Sequence, residues 1–346
     1  MVRTTGHSLP WCGSQRGEEG PVRTHVRARR LLPLLLAAAL LGVPVSAHAA
    51  PAAAAVEEVG DFGADPGNLR MLRYVPDGLA PDRPVVVALH GCTQNATGYG
   101  TDSGWVELAE RWDFSLVLPE QRGANNLNSC FNWFDSADTT RGQGEVASVV
   151  SMVDHTIAAT GADQSRVYVT GLSAGGGMTS ALLATYPERF SGGGVVAGLP
   201  YRCAAALYEA YTCMYTGKNL SPEAWGDRVR DASSHEGPWP TMSVWHGDAD
   251  YTVTVANQRE LVEQWTDIHG TDAEADRSDT VAGYPRTVYE DGAGRPVVEA
   301  ITVTGMGHGQ PVDPGTGEGQ CGSAGAYVLD VDVCAAWHLG QTWSLP

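Results

Sequence analysis

The pentapeptide Gly171-Leu172-Ser173-Ala174-Gly175 fits G-x-S-x-G and directly follows the apolar run Arg166-Val167-Tyr168-Val169-Thr170. It opens into a segment rich in glycine and alanine, so the context is strand, sharp turn, helix. In that context the turn is too crowded for side chains on either flank, and it pushes the serine hydroxyl clear of the backbone. A serine hydroxyl attacks a carbonyl only with a base to take its proton and a carboxylate to orient that base. In folds that carry such an elbow the chain order is serine, acid, histidine. His246-Gly247-Asp248-Ala249-Asp250 and Gly305-Met306-Gly307-His308-Gly309 occur in that order, each just after an apolar run. Ser173 is thus the candidate nucleophile and His308 the candidate base, with Asp248 and Asp250 competing as the acid. His90, His155, His235, His246, His269 and His338 are weaker rivals as bases. The N–H of Ala174 is one candidate donor to the oxyanion, and the turn His90-Gly91-Cys92-Thr93 should supply the other.

These residues need a scaffold, and the apolar pattern supplies one. Val85-Val86-Val87-Ala88-Leu89 is a continuous apolar run, as expected of a strand buried on both faces of a parallel sheet. Similar runs recur at 114–118, 166–170, 194–197, 242–245 and 300–303. Helical patterns lie between them at 105–112, 145–160, 175–186 and 255–269. The alternation predicts an α/β fold, a doubly wound and mostly parallel sheet with helices on both faces. Residues 69–75 read as an early antiparallel edge strand. Asp291-Gly292-Ala293-Gly294 reads as the turn of a late hairpin between 287–290 and 297–303. Residues 201–240, with six aromatic residues, read as an excursion over the active-site edge, and the acidic stretch 271–286 as a surface loop.

The amino terminus reads as an export signal. Arg23, Arg27, Arg29 and Arg30 precede the apolar run 31–45, and Ala47-His48-Ala49 has the small-x-small pattern of a cleavage site. About 15 residues broken by Pro33, Gly42 and Pro44 fall short of the roughly 20 that span a bilayer. Residues 1–49 are therefore expected to be a signal peptide, leaving residues 50–346 as one secreted catalytic domain without stable membrane association. Six of the seven cysteines lie in that domain: Cys92, Cys130, Cys203, Cys213, Cys321 and Cys334. Six cysteines allow 15 pairings. Nearness in sequence favours Cys203 with Cys213 and Cys321 with Cys334, leaving Cys92 with Cys130. No pair has C-x-x-C spacing and no histidine cluster adjoins them, which argues against zinc.

Of 346 residues 43% are hydrophobic and 18% charged, enough apolar material for a large core. The formal charge is −18, and removing residues 1–49 takes away six arginines and two glutamates to leave −22. Lys218 is the only lysine. A phosphate-backbone binder needs a basic face, so nucleic acid is excluded as a partner.

Taken together, six motifs resemble the extracellular poly(3-hydroxybutyrate) depolymerase family, which also embraces feruloyl and acetylxylan esterases. They are His90-Gly91-Cys92-Thr93-Gln94, Cys130-Phe131-Asn132-Trp133-Phe134, Arg141-Gly142-Gln143-Gly144-Glu145, the serine pentapeptide, Ala197-Gly198-Leu199-Pro200-Tyr201 and the glycine-flanked His308. The resemblance runs from about Val85 to Trp343. It implies an α/β-hydrolase fold and serine esterase chemistry, with Ser173 as nucleophile, His308 as base and Asp250 as acid on a His-Gly-x-x-Asp pattern. It further implies Cys92 and Ala174 as oxyanion donors. Trp133 and Tyr201 are the candidates for lining the substrate cleft, while Arg141 and Glu145 read as a structural pair at a helix start. Two departures stand out. The chain is expected to carry no linker and polymer-binding module after the last helix, which argues against adsorption to crystalline polymer, and Arg202 sits where a small residue is expected.

The leading expectation is a secreted esterase acting on poly(3-hydroxybutyrate)-type polyesters or their oligomers, with no metal or organic cofactor. A feruloyl or acetylxylan esterase is the near rival. A non-catalytic binder with an inert elbow is the rival from another class, disfavoured because all three triad types occur in order.

Overall fold

The side chains of Val85–Leu89 alternate between two separate apolar clusters, which places this strand in the middle of a layered fold. The computed structural model describes residues 55–346. The expected signal peptide, residues 1–49, lies outside the described residues. In chain order the strands and helices are β1 (Glu57–Val59), β2 (Arg70–Tyr74), β3 (Val85–Leu89), α1 (Ala96–Asp102), α2 (Trp105–Trp112), β4 (Ser115–Glu120), α3 (Gly144–Thr160), β5 (Val167–Leu172) and α4 (Ala174–Thr185). They continue with β6 (Gly192–Val196), α5 (Leu207–Tyr215), α6 (Pro222–Arg230), β7 (Thr241–Gly247), α7 (Ala256–His269), β8 (Arg277–Val281), β9 (Tyr284–Glu290), β10 (Pro296–Val303), β11 (Gln310–Val312), β12 (Val328–Asp330) and α8 (Ala335–Thr342).

Ten strands form one sheet in the order β1-β2-β4-β3-β5-β6-β7-β10-β9-β8. The six from β4 to β10 in that order run parallel, and antiparallel pairs close both ends. Val85, Val87 and Leu89 pack under α3, α4 and α7 through Val149, Met178, Leu182 and Trp265. Val86 and Ala88 face Trp105, Leu108 and Leu339 from α2 and α8. This is the α/β-hydrolase architecture.

Two expectations for the fold need correction. The strand at 69–75 is not the edge: β1 pairs outside it, and its charged residues reach β2 through Arg70–Glu58 and Arg73–Glu57 ion pairs. Residues 271–286 are not a loop, because β8 and the start of β9 lie there. Four of the five β8 residues are exposed on this edge, so the strand carries no apolar alternation to read. Residues 201–240 carry two helices, α5 and α6, with α6 packed on α7 around the buried Trp225.

Three disulfides, Cys92–Cys130, Cys203–Cys213 and Cys321–Cys334, tie the chain as sequence nearness suggested. Among the described residues no helix is long and apolar enough to cross a membrane.

Candidate active site

Strand β5 ends at Leu172 and helix α4 begins at Ala174, so one residue makes the whole turn. That residue, Ser173, has φ 58° and ψ −116°, a conformation that side-chain-bearing residues rarely adopt. Glycine on either side is required. A Cβ at Gly171 would lie 2.9 Å from the Leu89 Cβ, and one at Gly175 would lie 2.6 Å from the His90 carbonyl oxygen and closer still to that of Leu89. Ser173 stands at the N-cap of α4, yet its hydroxyl does not cap the helix. Its Oγ is left to the cavity above the sheet.

The candidate acid, Asp250, lies in the loop after β7. Asp250 is buried, and its Oδ1 accepts hydrogen bonds from the N–H groups of Thr252 (2.8 Å) and Val253 (2.9 Å). That leaves Oδ2 to face His308 Nδ1 at 2.7 Å. Burial opposes ionisation of Asp250, but hydrogen bonds from His246 and His308 outweigh it and hold the carboxyl below the usual carboxylate range. Asp248 is spent elsewhere: it is exposed and its Oδ1 accepts from the Gly305 N–H at 2.6 Å, which braces the loop that carries His308. Ser173 and His308 line the same cavity, although no hydrogen bond joins them in this structure. Such contacts are often long without substrate and tighten on binding.

The oxyanion turn is held from behind. The imidazole of His90 is fully buried, its Nδ1 2.7 Å from the Gly91 carbonyl oxygen and its Nε2 3.1 Å from the Gln121 N–H. Burial lowers its pKa, so it is a neutral strut and not a base. Thr93 N–H donates to the Asn128 carbonyl (2.7 Å), and Gly91 N–H to Gln94 Oε1 (2.8 Å). The N–H groups of Cys92 and Ala174 have no hydrogen-bond partner among the described residues. Both residues stand beside Ser173, Cys92 in the cavity wall and Ala174 as the next residue along the chain.

The cavity holds about 360 Å³. Trp133, Phe134, Leu172, Met214 and Tyr211 give it apolar walls, and no Asp, Glu, Lys or Arg lines it. Trp133 lines it, packed against α4 at Gly177 with its ring edge-on to Phe134. Tyr201 is a correction. It is 2% exposed, does not line the cavity, and donates its hydroxyl to the Thr139 carbonyl at 3.2 Å. The side-chain amide of Gln264 clamps its backbone N–H and carbonyl and turns the ring into the core. Arg202 takes a left-handed φ of 55° and lays its guanidinium over the Tyr201 ring.

Arg141 and Glu145 do not pair. Arg141 bonds Glu188 and stacks on Tyr186, pinning the end of α4. Glu145 is buried under the oxyanion turn, accepting from the Asn132 N–H (2.8 Å) and the Gln121 side chain, and burial raises its pKa to about 8. Asn126, Asn128, Thr252 and Tyr327 also line the cavity and had no signal in the sequence. The Tyr327 ring stands edge-on to His308 at 6.2 Å. Asp313, Asp330 and Asp332 are one acidic trio that could hold a cation, but no residue of it touches the cavity.

The family described as Esterase PHB depolymerase matches residues 69–283. Poly(3-hydroxyalkanoate) depolymerase C of Paucimonas lemoignei is 52% identical over 292 residues, 84% of this chain and 70% of that protein. Feruloyl esterase B of Talaromyces stipitatus is 33% identical over 270 residues, 75% of this chain and 74% of that one. The solved structure of an acetyl xylan esterase from Aspergillus awamori superposes with a TM-score of 0.67 at 31% identity, covering 73% of this chain and 94% of that one. The chain therefore belongs to the Esterase PHB depolymerase family and is a carboxylic ester hydrolase on the α/β-hydrolase fold.

Proposed function

We propose that this chain is a secreted serine esterase that cleaves poly(3-hydroxybutyrate)-type polyesters or their oligomers through an acyl-enzyme on Ser173. The observation that carries the reading is an uncharged, apolar cavity holding Ser173 beside the buried Asp250–His308 pair. Ser173 Oγ attacks the ester carbonyl carbon while His308 Nε2 takes its proton. The oxyanion is held by the Cys92 and Ala174 N–H groups. The alcohol leaves with the proton from His308, and water then releases the hydroxy acid by the same steps. Asp250 stays ionised and stabilises the imidazolium formed at each attack. The identity with a poly(3-hydroxyalkanoate) depolymerase supports a polyester substrate. Residues 1–49 are an export segment ahead of one catalytic domain. Three disulfides suit the oxidising compartment to which it leads.

A feruloyl or acetylxylan esterase is the second reading, favoured by the relatives at about one third identity. Clearing of poly(3-hydroxybutyrate) films compared with ferulate and acetate release from xylan esters decides between them. Clearing with little xylan-ester turnover supports the first reading, and released ferulate or acetate over intact films overturns it.

A further inference from the structure

Among the described residues seven large apolar side chains are exposed, and each either lines the catalytic cavity, adjoins a lining residue in the chain, or shares α5 with one. Leu207, Tyr211 and Tyr327 line it directly. Leu127, 97% exposed, sits between the lining residues Asn126 and Asn128, and Tyr251, 90% exposed, precedes the lining residue Thr252. The remaining two belong to α5. That helix buries Ala210 and Cys213, three residues apart, against the molecule. Its outer face repeats the pattern with Tyr208, Tyr211 and Tyr215, the last two stacked at 6.3 Å. A helix apolar on two faces is built to be covered on both. An exposed apolar patch rimming a cleft marks an interaction surface.

Charge says what covers it. The chain carries −18 overall, yet α5 holds a single charged side chain, Glu209, and that one is paired with Lys218, the only lysine, at 3.4 Å. The cavity wall next to it is free of Asp, Glu, Lys and Arg. A charged partner would find nothing to pair with, and a second copy of this chain would bring the same excess of negative charge. A neutral solid with many ester and methylene groups meets the face without desolvating a charge.

We propose that the rim is an adsorption face that seats the protein on the solid surface of a neutral ester polymer, with the cavity opening onto the chain to be cut. This rests on the polyester reading above and extends it. Apolar burial against the solid supplies the affinity. The Tyr208 hydroxyl already donates to Glu209 Oε1 at 3.4 Å, while those of Tyr211 and Tyr215 remain able to donate to ester carbonyls. Adsorption then needs no separate module.

The test uses Ser173→Ala to stop cleavage, with and without Leu127→Ser, Tyr208→Ser and Tyr215→Ser, none of which lines the cavity. Depletion from solution by poly(3-hydroxybutyrate) particles gives the partition constant, expected to fall at least about tenfold in the triple-serine background. With Ser173 restored, turnover of p-nitrophenyl butyrate should stay within about twofold, which shows the fold and the cleft intact, while film clearing drops. An unchanged partition constant overturns the proposal. So does a wild-type dimer in sedimentation that the three substitutions dissociate, since the face would then join two copies. Because adsorption is read without turnover, strong adsorption by a protein that cannot clear films sinks the polyester reading and leaves the face standing.

Discussion

Replacing Asp250 by asparagine removes one charge and keeps nearly every other contact. The Asn Oδ1 can still accept from the Thr252 and Val253 N–H groups, so the loop after β7 keeps its turn. What is lost is a carboxylate 2.7 Å from His308 Nδ1 at the moment the imidazole becomes charged. At an effective dielectric of about 20, two unit charges at that separation attract by about 6 kcal/mol. That is about four powers of ten in rate, the order seen when a triad aspartate is amidated. Asp248→Asn serves as the control: it is exposed, and its amide oxygen can still accept from the Gly305 N–H. It should stay within about threefold of wild type. The assay is kcat and kcat/KM on p-nitrophenyl butyrate, with thermal melts to show both variants folded. A folded Asp250→Asn enzyme that keeps a tenth of the activity, or an Asp248→Asn enzyme that loses more, would refute the assignment of the acid.

Three further outcomes follow from the same geometry. Breaking Cys92–Cys130 by a double serine substitution opens a loop with a sequence separation of 38; loop entropy puts the cost at about 4 kcal/mol in a denaturant titration, and kcat should fall as well because the Cys92 N–H is a proposed oxyanion donor. Gly175→Ala forces a Cβ against the Leu89 and His90 carbonyl oxygens, so expression or melting should reveal a loss above about 3 kcal/mol. The folded-state pKa of Asp250 lies below its unfolded value, so its charge stabilises the fold above about pH 4 and that contribution fades as the pH falls further; the stability gap between wild type and Asp250→Asn should therefore shrink between pH 5 and pH 2.

Local pattern revealed whatever local physics decides. The serine elbow is legible because two glycines and a preceding apolar run dictate it, and Val85–Leu89 because a strand buried on both faces has no polar side to show. Asp250 could not be told from Asp248 by spacing. The deciding feature is the turn in which Asp250 accepts two N–H groups from the residues that follow it, a tendency of aspartate that could have been weighed. Other features depend on partners far along the chain. Tyr201 turns inward because Gln264, 63 residues away, holds its backbone, and Arg141 meets Glu188 47 residues on. Strand β8 escaped notice because an exposed edge strand obeys no apolar alternation. The tyrosines of α5 were visible as a cluster, but only the fold shows that their outer stripe borders the cavity.

The central claim is that Ser173 is activated by His308. Treatment of the folded protein with a fluorophosphonate, followed by peptide mass analysis, tests it most directly. The account predicts one adduct, on Ser173, formed quickly by wild type and at least about a thousandfold more slowly by His308→Ala. Labelling of another serine, or equal rates with and without His308, would contradict it.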